Sequence, residues 1–163
     1  MPGLIKRIFD ICNTAPATVA GPIRSPARHG SRDFASATGP LLVEIGNPAC
    51  GSPRAETAAA VLAALSRPVC PRPISFTTDP ERAAAPAIRV ILSFHPSLDL
   101  SPAELARGVV RGIAPDARLT LLAVFASGAE VLASVEGRAG GVASPQDKGF
   151  AALVHQAVRE LLG

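Results

Sequence analysis

The last twenty residues, SPQDKGFAALVHQAVRELLG, place the tightest limit on the fold. Phe150, Leu153, Val154, Ala157, Val158, Leu161 and Leu162 form one continuous stripe at helical spacing. The spacing predicts an amphipathic helix, opened by Ser144-Pro145, whose broad apolar face needs a flat apolar partner. A sheet provides one, and IRVILSF (88–94) is the plainest strand in the chain. Ile88, Val90, Leu92 and Phe94 share one of its faces, while Arg89, Ile91 and Ser93 share the other.

The other elements follow from the same signals. LLVEI (41–45) is a short apolar run bounded by Gly39-Pro40 and Gly46-Asn47-Pro48, as expected of a buried strand. A helix then starts with Ser52 as N-cap and Pro53 at its first position, buries Ala58, Val61, Leu62 and Leu65, and stops before Pro68. ISFTT (74–78) alternates as a strand does. Ser101 and Glu104 form a capping-box pair that opens a short helix ended by Gly108. RLTLLAVFA and EVLASVEG flank Ser127-Gly128 and predict a hairpin.

The element order is therefore β-α-β-β-(short α)-β-β-α. It predicts an α+β two-layer sandwich, a mixed β-sheet of about five strands with two main helices on one face. Hydrophobic residues make up 48% of the 163, yet there is no Trp or Tyr and only six Phe, so Ala, Val, Leu and Ile must fill the core. That length suits one domain, assigned here to residues 40–163. Residues 1–39, in which Pro, Gly, Ser and Arg predominate without a lasting period, are expected to form a disordered tail.

Charge argues against nucleic acid as a partner of the body. The tail holds five basic and two acidic residues, leaving eleven of each in 40–163, which is formally neutral. Without Tyr or Trp, the body lacks both the cationic footprint and the stacking platforms for single strands. No stretch reaches the roughly 18 apolar residues of a membrane span. The start, MPGLIKRIFDICNTAPATVAGPI, lacks a continuous apolar signal region because Asp10, Asn13 and Pro16 interrupt it, so the cytoplasm is the expected compartment.

GNPACGSP (46–53) sits between strand and helix, where a phosphate-binding loop would sit. Ser52 and Pro53 stand in place of the lysine and hydroxyl of that motif, and Pro48 lacks an N–H, so a plain strand-to-helix turn is expected. Three cysteines are present. A thiol hydrolase or transferase would use Cys50 near the helix start as nucleophile, His95 as base and Asp99 as its orienter. A Cys50–Cys70 disulfide is the competing use of the same thiol, and it would leave Cys12 over. Zinc held by Cys50, Cys70 and His95 lacks paired ligand spacing, and neither a metal nor a cofactor is expected. Glu44 in the first strand needs a partner, for which Arg89 is the candidate, and His155 lies off the apolar stripe.

The element order over 40–163 resembles that of small α/β modules of bacterial envelope proteins. The amino-terminal domain of TolB, of the Tol-Pal system, is similar in order, as are proteobacterial lipoprotein-like families. The resemblance implies a non-catalytic binding or assembly module with a protein partner, placed in the periplasm or envelope. The thiol enzyme built on Cys50 and His95 is the alternative.

Overall fold

A computed structural model describes residues 16–116 and 118–163. Its elements are β1 (Ala17–Arg24), α1 (Ala27–Ala37), β2 (Leu41–Ile45), α2 (Arg54–Ala64), β3 (Phe76–Thr77), β4 (Ile88–Phe94), α3 (Pro102–Ala106), β5 (Arg118–Ser127), β6 (Glu130–Gly140) and α4 (Lys148–Leu162). They build an α+β sandwich on one mixed sheet, ordered β1-β6-β5-β4-β2-β3. β2 runs parallel to both β3 and β4, and every other pairing is antiparallel.

The two faces of β4 explain the layers. Val90, Leu92 and Phe94 enter the main core together with Leu121, Ala123 and Phe125 of β5 and the whole stripe of α4. Phe94 stacks on Phe150 with ring centroids 5.1 Å apart. Ile91 enters a second, smaller core with Leu122, Val124 and Ala126 of β5 and Leu105 and Ala106 of α3. α1, α2 and α4 thus contribute to one face, and α3 covers part of the other.

The expected pairing of Glu44 with Arg89 is present, with Arg89 Nε 3.2 Å from Glu44 Oε1. The same guanidinium donates to the carbonyls of Ala106 (2.7 Å) and Gly128 (2.8 Å), tying the end of α3 and the hairpin turn to the sheet. Ser101 and Glu104 form both halves of the capping box.

Several boundaries differ from expectation. α2 begins at Arg54 with Pro53 at the cap, because the Ser52 hydroxyl bonds back to Ala49 O and to Thr57 Oγ1. α4 begins at Lys148, where Asp147 Oδ2 accepts from the Ala143 and Ser144 amides. The strand expected at 74–78 shrinks to Phe76–Thr77.

The larger correction concerns residues 1–39. The expectation for 1–15 lies outside the described residues, but from 16 onward the segment belongs to the domain. β1 pairs with β6 as a sixth strand and tolerates Pro22 because it is an edge strand whose register shifts between Ala20 and Arg24. α1 places its arginines on the end of α4. Arg32 Nη1 donates to Leu162 O at 2.7 Å, Arg28 Nη1 to Glu160 O at 3.5 Å, and Arg24 pairs with the Glu160 carboxylate at 3.4 Å.

Candidate functional site

The loop 46–53 has almost no free donors. Gly46 N donates to Leu92 O (2.8 Å), Asn47 N to Ser93 Oγ (3.1 Å), Ala49 N to Thr57 Oγ1 (3.1 Å), Cys50 N to His95 Nε2 (3.1 Å) and Ser52 N to Ala49 O (2.9 Å). Pro48 and Pro53 have no N–H, which leaves Gly51 alone. A phosphate cradle needs several converging amides, so this loop is a structural turn. It is strapped to the end of β4 by Asn47, whose Nδ2 donates to Phe94 O (2.8 Å) and whose carbonyl accepts from Phe94 N (2.9 Å).

Of the three residues expected to form a thiol site, the fold brings two together. Cys50 and His95 meet, but through the cysteine's backbone amide. His95 is buried, and its Nε2 accepts that N–H, which places the imidazole proton on Nδ1. Burial lowers the His95 pKa, with the Asp116 charge opposing it. Burial also raises the Cys50 thiol pKa, and the Asp147 charge adds to that. A nucleophilic pair needs the opposite shifts, a thiolate beside an imidazolium. Asp99 does not orient His95. It is exposed, accepts from the Ser97 hydroxyl, and faces Arg111 Nε at 3.8 Å.

The Cys50–Cys70 disulfide is likewise absent. Both thiols are free, and they flank the 11-residue helix α2, which rises roughly 16 Å between them. No group of three metal-ligating side chains occurs among the described residues. His155 Nε2 lies 2.9 Å from Pro68 O.

The second sheet face carries the feature that sequence reasoning missed. α3 covers the sheet around Leu122, Val124 and Ala126, but the other end of the β5–β6 hairpin is open. There a groove of about 400 Å³ runs between the sheet and the loop after β4. Its floor has two cross-strand rows, Ala17–Arg138–Thr120 and Val19–Glu136–Leu122, with Arg118 beyond them. Its wall includes Leu98, which is fully exposed, and Ile113, while Val19 on the floor is 67% exposed. A signal for it exists in the sequence. On the second face β5 reads Arg118, Thr120, Leu122, Val124, Ala126, polar at one end and apolar at the other. β6 places Ser134, Glu136 and Arg138 opposite the core-facing Ala133, Val135 and Ala139. That gradient marks a half-covered face.

Compared with protein-family models and with curated proteins, the chain matches none. Among solved structures, a PelC dodecamer variant from Paraburkholderia phytofirmans is similar at 14% identity, over 91% of this chain and 93% of that chain, with a TM-score of 0.29. A likeness of that size carries no argument about function.

Proposed function

We propose that this domain is a non-catalytic binding module that engages a partner protein through the open part of its second sheet face. The observation that carries the reading is the concentration of large exposed apolar side chains there. Val19, Leu98 and Ile113 line one groove, and such a patch with a polar rim is the usual mark of an interaction surface. The competing thiol site offers a thiol whose pKa burial raises, an imidazole that accepts from a backbone amide, and no carboxylate hydrogen-bonded to that ring among the described residues.

The proposal extends to compartment. The element order resembles that of envelope modules, so the partner is sought in the envelope. The test is to place the photo-crosslinker p-benzoylphenylalanine at position 98, and at exposed Phe34 on the far side as a control, in the source cells. A discrete adduct from position 98 and none from position 34 supports the reading. Equal or no crosslinking at the two positions overturns it. An adduct recovered in the cytosol overturns the envelope placement alone.

A further inference from the structure

We infer that the groove's occupant is an extended, acidic–apolar peptide segment of a partner protein, added to the sheet as a seventh strand along β1. The inference rests on the reading of the groove as a protein-binding surface and specifies the chemistry of what it holds.

β1 is the outer strand of the sheet, and among the described residues nothing pairs with its far edge. Along Ala17–Ala20 its register with β6 is regular; the shift, and Pro22, come afterwards. A regular strand with one free edge leaves the N–H and C=O of every second residue unpaired, which is a template for another strand. The opposite edge of the sheet, β3, has only two residues. The groove starts at the β1 edge, since Ala17 and Val19 line it. Side chains of an added strand alternate between the two faces, so every second one would lie beside Val19 and below Leu98.

Charge selects the peptide. Arg118 and Arg138 line the groove with a single carboxylate, Glu136, and neither guanidinium has an acidic partner within ion-pair distance among the described residues. Arg138 lies directly across from small Ala17, so a carboxylate on the added strand opposite Ala17 needs to reach over only one alanine to meet it. A second copy pairing through its own β1 would bring no carboxylate, because residues 16–24 contain none. The chain's own residues 1–15 offer Asp10 against Lys6 and Arg7, a poor match for a cationic groove. A fatty acid would meet the arginines but leave the β1 edge unused.

The test uses the full chain and fluorescein-labelled eight-residue peptides read by anisotropy. One repeats valine-threonine-glutamate-threonine, so that valine and glutamate follow each other on a single face, a second has lysine in place of each glutamate, and a third is the first with every second amide N-methylated. The valine–glutamate peptide is expected to bind at least tenfold more tightly than the other two. Arg138→Glu should reverse the glutamate-over-lysine preference, and Arg118→Glu provides a second charge reversal if the first variant fails to fold. Equal binding of the three peptides overturns the inference. So does saturable binding of dodecanoate in their place, or a dimer of the free chain that Val19→Lys dissociates. If position 98 crosslinks a protein while the valine–glutamate peptide does not bind, strand addition fails and the groove reading survives; if neither occurs, both fail.

Discussion

Among the described residues two non-glycine positions adopt positive φ, Cys50 at 56° and His95 at 48°, and they are hydrogen-bonded to each other. Such conformations persist where the surroundings over-determine them. Here the imidazole takes the Cys50 amide, and His95 itself is fixed by N–H to Thr120 O and by accepting from Ile113 N. The bond requires a neutral ring, and burial lowers the folded-state pKa below the ordinary 6.5. The unfolded chain therefore binds the proton first. Stability is full above about pH 6.5 and falls as pH drops below it, until the native imidazole also titrates. Denaturant melts between pH 7.5 and 5.5 should show this loss, and His95→Gln, which keeps an acceptor that does not titrate there, should flatten it. An unchanged slope in the variant would remove His95 as its source. Cys50, with its raised pKa, should react with iodoacetamide at pH 7.5 more slowly than N-acetylcysteine, as followed by peptide mass spectrometry; faster alkylation would return it to candidacy as a nucleophile. Ser134 presents a different case. Its buried Oγ has no partner among the described residues and sits where Gly21 passes so close that an added Cβ would lie 1.8 Å away. Ser134→Ala should stabilise the domain by about 1 kcal/mol in the same melts, since an unsatisfied buried hydroxyl costs about that much.

Among the elements, α1 is held by charge more than by apolar contact. Ala35 is its one buried residue, and Phe34 points to solvent. What fixes it is the C-terminal end of α4, whose last carbonyls have no intrahelical donor. Arg28 and Arg32 supply those donors, and cations there also suit the helix dipole. Arg32→Ala should cost about 1 kcal/mol, or roughly 2–4 °C in Tm for a chain of this length, and the Arg28→Ala/Arg32→Ala pair more. Calorimetry in low and high salt would separate this from a packing loss, because only the charge-assisted part is screened. The same facts show why periodicity did not reveal α1 or β1. A helix with one apolar contact has no stripe, and a strand spelled ATVAGPIR becomes a strand through the β6 edge it joins. Elements with their own buried face were legible: the two faces of β4, the stripe of α4 and the capping box of α3 all stand where the residues put them. The groove was half legible, in the polar-to-apolar gradient of β5, but its wall depends on how the loop 95–113 folds over the sheet. That loop is set by long-range pairs such as Ser97 N to Arg111 O and Ile113 N to His95 O, which no local pattern announces.

For the whole molecule, the boundary between tail and domain decides which surfaces are available. A body that began at residue 40 would end its sheet at β6, exposing an 11-residue edge strand. It would also lose the bond from Gln156 Nε2 to Thr18 Oγ1 and leave the end of α4 without its arginines. A long free edge of that kind invites pairing between chains. Three of the five basic residues that make 1–39 look like a polycationic tail, Arg24, Arg28 and Arg32, are engaged within the fold, which weakens any case for the segment as a loose electrostatic arm. Two chains should therefore behave differently. Residues 16–163 and the full chain should both melt cooperatively, while residues 40–163 should show a lower, broader transition and concentration-dependent association by light scattering. Because β1 also forms one margin of the groove, the shorter chain should lose crosslinking from position 98 as well. If 40–163 instead melts as sharply as the full chain and stays monomeric, β1 and α1 are accessories to the fold, and the groove has to be redrawn on β5 and β6 alone.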